Sequence, residues 1–301
     1  VQRTLFEVFR EHNDKCARLS GTDMAPATVQ RYETSLKHTR DFVWETYHKK
    51  DVLLDEVSRQ FIEDYEFWLK TEKKCCHNTA TKYLKNFKKI TRIALAKGWM
   101  KNDPFLEIRF SLDKVEPDFL EDSEIQKLIS KEIDIPRLSQ VRDIFVFCCF
   151  TGLAFSDIHG LRKEHIVEDS NGVRWIRKGR QKTKIMCNIP LIEIPLKILE
   201  KYSTNEYCKK HGVLFPVLCN QKMNAYLKEL ADICGIKKTL TTHVGRHTFA
   251  TFALANGVSI ESVAKMLGHT NVQMTRHYAR VLDRTVIREM SQIKMDLHFS
   301  M

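Results

Sequence analysis

The stretch Thr242-His243-Val244-Gly245-Arg246-His247-Thr248, followed by Leu267-Gly268-His269 and then by Arg276-His277-Tyr278-Ala279-Arg280, decides how this chain is read. On a helix His243 and Arg246 share one face, so an imidazole and a guanidinium converge on a single anion. The pair reads as a phosphate clamp: arginine presents a planar fork of donors matched to phosphate oxygens, and the histidine adds a hydrogen bond or moves a proton. His269 contributes a third polar group, and Tyr278 a hydroxyl able to attack phosphorus once those donors hold it. Singly, each residue has a plainer role, since most histidines and tyrosines are structural. His243 and His247 also have the spacing of a metal pair, but the metalloprotease pattern needs Glu directly after the first His, and Val244 stands there. No metal site is expected.

Between these groups, Phe249 to Val258 reads as a helical run ended by Asn256-Gly257, and Ile260, Val263, Ala264, Met266 and Leu267 as a second short helix. With that spacing the stretch resembles the catalytic core of tyrosine recombinases, the phage and transposon integrase family, whose motif runs His, two residues, Arg, then Leu-Gly-His, then Tyr. The resemblance implies a mainly α fold with a small antiparallel β-sheet, in which a helical core-binding domain precedes a mixed α+β catalytic domain and the two close around duplex DNA. It implies site-specific cutting and rejoining of DNA strands through a 3′-phosphotyrosine on Tyr278, with Arg246, His243 and His269 holding the non-bridging oxygens and no metal or other cofactor. It also implies a tetramer on double-stranded DNA and, in some members, an accessory DNA-bending protein.

Composition bounds the same answer. At 301 residues the chain is long enough for two cores, and 43% hydrophobic residues exclude disorder as the main state. A net charge of +11 and a pI near 9.2 favour a polyanionic partner, most simply nucleic acid, although an RNA binder or a membrane-surface protein shares that balance. Nine cysteines without Cys-x-x-Cys spacing suggest neither a disulfide framework nor a zinc ribbon, and point to a reducing cytoplasm. The longest apolar stretch, Ile144 to Phe155, is too short to cross a bilayer, and no signal-peptide pattern opens the chain. A start at Val1 rather than Met fits a fragment without its N-terminal segment, where members of the resembling branch often carry an arm-binding domain.

Residues 1–113 read as a helical DNA-binding domain. Helices are marked by Leu5, Phe6 and Phe9, by Val29 to Val43, by Val57 to Leu69 seeded at Asp55, and by a run from about Asn78 to Trp99. The last is the informative one, because Lys73 to Lys101 contains nine Lys or Arg and no Asp or Glu. Lys82, Lys85, Lys88, Lys89 and Arg92 fall on one side and Tyr83, Leu84, Phe87, Ile90 and Ala94 on the other, so one face packs and the other meets phosphate. A merely solvated helix usually mixes signs for i,i+4 pairing. Asn102-Asp103-Pro104 stops the helix, and the charged stretch through Pro117 reads as a linker with the boundary near residue 114.

Residues 114–301 read as the catalytic domain. A helix capped by Asp122 or Ser123 precedes an apolar helix, Val141 to Phe150, ended by Thr151-Gly152. Gly172 to Ile176, a basic turn from Gly179 to Lys184, and Ile185 to Pro190 read as a small antiparallel sheet, followed by helical pattern from Ile194 to Leu240. Beyond Tyr278, Leu282, Val286, Met290, Ile293 and Leu297 suit an amphipathic tail helix that docks on its own domain or on a neighbour.

Thr151-Gly152-Leu153 with Ser156-Asp157 resembles a second family motif, in which Arg follows the Leu and an acid lies three positions beyond it. Asp157 fits the acid, but Ala154 occupies the arginine's place. Losing one charged transition-state donor costs roughly 3 to 4 kcal/mol, so either another arginine has taken over or the enzyme is inactive. The first is preferred, because every later motif position is filled and the chain resembles integrases of Bacteroides-type conjugative elements, where this position is often not Arg; such a protein works on the bacterial nucleoid. Arg142, a charge entering a strongly apolar helix, is the candidate; its competing role is an ion pair with Asp143 or Asp157. Lys182 matches the family's hairpin lysine, which protonates the departing 5′ oxygen, with Lys178 and Lys184 as rivals. The alternative functions are a type IB topoisomerase, a DNA-binding regulator with an impaired site, and a metal-dependent nuclease.

Overall fold

The computed structural model describes residues 2–278 and 290–291. The chain forms two compact units, divided between Val115 and Glu116.

The first unit is built from α1 (Leu5–Arg18), α2 (Pro26–Tyr47), α3 (Arg59–Thr71) and α4 (His77–Ala96). Phe6, Phe9, Phe42, Phe61, Tyr65 and Phe87 are buried between them, an aromatic core that suits a small domain because each ring removes a large apolar area from water. Asp55 does not seed α3. Leu54–Glu56 forms a single 3-10 turn, and the α-helix begins at Arg59 because the Ser58 hydroxyl accepts the Phe61 N–H at 3.3 Å. On α4 the division of faces is as the sequence periodicity expects: Leu84, Phe87, Ile90 and Ala94 are buried, while Lys82, Lys85, Lys89 and Arg92 are exposed.

The second unit is organised on α6 (Pro136–Thr151), whose apolar C-terminal half, Ile144 to Phe150, is buried on every side; α5 (Asp122–Ser130) packs on it. The cap of α5 falls at Glu121 rather than at Asp122 or Ser123, with the Glu124 carboxylate accepting the Glu121 N–H at 2.8 Å. A short α7 (Phe155–His159) leads to an antiparallel sheet of β1 (Ile166–Glu168), β2 (Arg174–Gly179) and β3 (Met186–Pro190), in that order. Opposed Ile176 and Ile189 turn the sheet's buried face to the core. The sequence reading lacked β1, because three residues are too short for alternation to show.

Next come α8 (Glu193–Tyr202), α9 (Glu206–His211) and α10 (Asn220–Ile233), then α11 (Thr242–Ala255), α12 (Ile260–Leu267) and α13 (Gln273–Arg276). Of these, α8, α10 and α11 pack on α6, while α12 lies against β3. Among the described residues no helix is long and apolar enough to cross a membrane. The expected tail helix over Leu282 to Leu297 lies outside the described residues, Met290 excepted.

Gly152 ends α6 in the left-handed conformation at φ +66°, where an added Cβ would sit 2.4 Å from Phe249 Cδ1 and 2.7 Å from Leu267 Cδ2. Backbone strain and overpacking therefore combine. Gly152→Ala is expected to lose roughly 2 to 4 kcal/mol of stability, read as a lower urea midpoint.

Candidate active site

Arg246, on the second turn of α11, is 2% exposed. Its Nη1 donates to the Gly152 carbonyl at 2.7 Å, and its Nη2 to the Leu267 carbonyl at 2.7 Å and to His269 Nε2 at 3.0 Å. Those carbonyls stand at the C-terminal ends of α6 and α12, both closed by a glycine in the left-handed conformation. Helix C-termini leave carbonyls without intrahelical partners and carry partial negative charge, so one guanidinium caps two helices and is itself stabilised. Burial, followed by the nearby charge of Arg180, lowers the Arg246 pKa, and the Tyr278 phenol and Cys187 oppose this. Arginine nonetheless stays protonated in proteins. Three of its five N–H donors are taken by Gly152, Leu267 and His269, which leaves the rest for the phenol and for an anion.

The same contacts assign the His269 tautomer. Arginine only donates, so Nε2 accepts, and Nδ1 carries the proton toward Thr275 Oγ1 at 2.8 Å. Burial, with the charges of Arg246 and Arg180, pushes the His269 pKa down to about 4, so the ring is neutral at pH 7. Tyr278 is buried among Phe249, Ala253, Val263 and Leu267. Its ring lies near-parallel to His269, with centroids 6.0 Å apart at 13°, and 4.9 Å from His247. His247 in turn meets His243 edge-on at 4.4 Å. His243 keeps an exposed side, yet partial desolvation and the charges of Arg246, Arg180 and Lys182 lower its pKa. Thus His243, Arg246, His269 and Tyr278 are brought together.

Lys182 is exposed on the turn between β2 and β3, with its charge felt at His243. Its rival Lys178 is engaged elsewhere, its ammonium donating to the Gly160 carbonyl at 2.9 Å. Lys184 sits on the same turn in the left-handed region at φ +60°. Asp157 is 1% exposed and holds the turn, its Oδ1 accepting the Gln181 N–H at 2.9 Å and its Oδ2 facing Arg180 Nε at 3.3 Å. Arg180, which the sequence reading left as one basic residue among several in that turn, is the member of the cluster it missed.

Arg142 is not brought to the cluster, and the expectation for it is corrected. Its Nε and Nη2 donate to Asp143 at 3.1 and 3.0 Å and its Nη1 to the Lys131 carbonyl at 2.8 Å. Lys201 and the Tyr202 hydroxyl bind the other Asp143 oxygen. A neighbouring carboxylate has satisfied the charge, the competing role the sequence allowed. Among the described residues no group of three side chains is arranged to hold a metal ion.

Comparison with known proteins follows the two units. The Phage integrase SAM-like domain profile matches residues 4–112, and the Phage integrase family profile matches residues 118–285. The chain belongs to the phage integrase family and is a tyrosine recombinase. A tyrosine recombinase of Pseudothermotoga lettingae is 29% identical over 265 residues, covering 85% of this chain and 88% of that protein. Tyrosine recombinase XerD of Oceanobacillus iheyensis is 26% identical, covering 84% and 87%. In fold the recombinase resembles lambda integrase in a dimer bound to a core site, with a TM-score of 0.73 at 16% identity over 99% of this chain and 100% of that one. It also resembles the Tn1549 transposon integrase in complex with a circular intermediate DNA, with a TM-score of 0.71 at 18% identity over 96% and 99%. Neither the site nor these relatives favour the topoisomerase or impaired-regulator readings.

Within the recombinase's first unit, Lys82, Lys85, Lys88, Lys89 and Arg92 pair with no carboxylate among the described residues. Lys88 is half-buried where the others are exposed, lying over the Phe105 and Phe110 rings at 5.3 and 5.5 Å with its ammonium 3.5 Å from the Phe105 carbonyl, and Lys85 also lies over Phe110, at 5.8 Å. Lys89 reaches the Tyr32 hydroxyl at 2.9 Å.

The depressed His269 pKa makes stability depend on pH. Between pH 6.5 and about 4 the unfolded chain binds the proton and the folded chain does not, so stability is full above 6.5 and falls as pH falls. Going from pH 7.5 to 4.5, wild type is expected to lose about 2 kcal/mol more than His269→Gln, after discounting for partial exposure, as read by urea unfolding at both pH values.

Proposed function

We propose that this recombinase is the integrase of a bacterial mobile element, cutting and rejoining double-stranded DNA at specific sites, with residues 1–113 as a core-binding domain and residues 114–301 as the catalytic domain. The observation that carries the proposal is the grouping of Tyr278 with Arg246, His243 and His269 on one chain.

In this mechanism Arg246 and His243 bind the non-bridging oxygens of the scissile phosphate, and His269 joins them once its Nε2 exchanges the Arg246 N–H for a proton of its own. The anion favours a proton on each imidazole, opposing the effect that lowers their pKa without it. Tyr278 Oη forms a bond to phosphorus as the bond to the 5′ oxygen breaks, and the phenolic proton leaves to solvent. Lys182, poised on the turn, gives its proton to the departing 5′ oxygen. The product is a 3′-phosphotyrosine and a free 5′ hydroxyl. The phosphodiester energy stays in the covalent link, so the 5′ hydroxyl of a partner strand can reseal it with phenolate as leaving group. The protein chemistry asks for no cofactor.

Two duplexes must be cut and exchanged, which suits a tetramer with one Tyr278 per strand; lambda integrase, a fold neighbour, is known as a tetramer bound to a Holliday junction. An accessory DNA-bending protein and a place on the bacterial nucleoid fit the same work. Lys82, Lys85, Lys89 and Arg92 supply phosphate contacts, which give affinity without sequence information, and Lys88 joins them from a more sheltered position.

A pool of nicked duplexes with a randomised core, incubated with the protein and recovered by covalent capture, tests the reading directly. Wild type is expected to form an adduct that maps to the Tyr278 peptide, while Tyr278→Phe binds the captured duplex equally well and forms none. An adduct on another residue, or none with wild type, overturns the assignment. Replacing Lys82, Lys85, Lys89 and Arg92 together by Ala is expected to weaken binding alike on target and unrelated duplexes. The slope of log affinity against log salt should become shallower by about 0.9 for each phosphate that the variant no longer neutralises.

A further inference from the structure

The crowded phosphorane-like state carries more negative charge on its non-bridging oxygens than the starting diester, and fixed cations aimed at them lower the barrier. Arg246 is one. The family pattern places a second at position 154, where this chain has Ala, and Arg142 is committed to Asp143.

Arg180 follows β2, at the start of the basic turn, and its side chain is only 11% exposed. Two contacts fix where that side chain goes. Its Nε lies 3.3 Å from Asp157 Oδ2, and Asp157 stands on the turn of α7 whose cap is Ala154, the Asp157 N–H donating to the Ala154 carbonyl at 2.9 Å. Its aliphatic stem lies over Gly268, so closely that an added Cβ there would come within 2.7 Å of Arg180 Cδ and 3.0 Å of Cγ. Gly268 joins Leu267, whose carbonyl Arg246 caps, to His269, whose Nε2 accepts from Arg246. One end of the Arg180 side chain is thus anchored beside the position of the missing arginine, and its stem runs beside the Arg246 site. Its terminal nitrogens donate to no described residue. The Arg180 charge is felt at Arg246, at His243 and at His269, as a cation on the same site must be.

Holding two guanidinium groups near each other costs free energy unless an anion sits between them, and Asp157 supplies only one buried carboxylate to this pair and the neighbouring Lys182. We propose that Arg180 takes the place of the arginine absent at Ala154, binding a non-bridging oxygen of the scissile phosphate from the side opposite Arg246, with Asp157 as its anchor. The lost family residue is replaced from a different element, the turn after β2, and its acidic partner is retained. This inference rests on the recombinase reading above.

The test uses the full chain and the duplex captured by wild type, in single-turnover cleavage. Arg180→Ala is expected to cut about a hundred-fold or more slowly, with duplex affinity within about three-fold of wild type. On the same duplex with a methylphosphonate at the scissile position, one charged oxygen is replaced by an uncharged methyl group. There the Arg180→Ala deficit should shrink to less than about ten-fold, because less charge needs a cation. Arg180→Lys, which keeps the charge and the Asp157 pair, should fall between wild type and Arg180→Ala, and Arg142→Ala should cut within a few-fold of wild type. Cleavage by Arg180→Ala at the wild-type rate overturns the inference. So does a deficit that is equally large on the neutral phosphate, since that marks a merely structural role for the Asp157 pair; Arg180→Lys supplies the same comparison if Arg180→Ala does not fold. Failure of wild type to form any adduct counts instead against the recombinase reading itself.

Discussion

A single buried guanidinium closes the ends of two helices, and the geometry of the site follows from that. Arg246 donates to the carbonyls of Gly152 and Leu267, where α6 and α12 stop, and to His269. A cation buried this deeply needs oxygen partners, and helix C-termini are among the few places in an apolar core that offer them ready aligned. Fold and site therefore share one set of bonds: the contacts that dock α12 beside α6 also aim the remaining donors of Arg246 at the space before Tyr278.

The electrostatics of the site suit an anion. Arg246, Arg180 and Lys182 gather around it with Asp157 as the buried acid, and His243 and His269 respond by losing their protons more easily. Neutral imidazoles spare the fold further like-charge repulsion. A bound phosphate reverses the balance by stabilising the arginines together and favouring protonated imidazoles that can donate to it. The same arrangement that weakens the free protein at low pH is thus suited to holding a crowded, highly charged phosphorus centre.

Much of this was legible in the chain. The three-residue step from His243 to Arg246 requires a shared helix face, the alternation of lysines with Leu84, Phe87 and Ile90 requires a two-faced α4, and Gly152 marks a helix end. Other features carried too little local signal. The β1 strand is shorter than the period that would reveal it, the start of α3 depends on one serine hydroxyl rather than on Asp55, and α5 is capped by Glu121. Arg142 and Arg180 show the limit best. Both are arginines in the right unit, and a charge inside an apolar helix looked the more significant, but adjacent Asp143 neutralises it while Asp157, distant in sequence, holds Arg180 at the site.

The sequence by itself determined the family and the class of chemistry and singled out Tyr278 as the proposed nucleophile, because those rest on residue types at helical spacing and on a motif whose order survives in the linear chain. Tertiary structure alone decided which cations meet: it brought the β2–β3 turn against Gly268, set Tyr278 beside His269 and sent Arg142 elsewhere. Spacing along a chain constrains neighbours within a helix turn, whereas the partner of a buried charge is whichever carboxylate or carbonyl the packing of separate elements brings within about 3 Å.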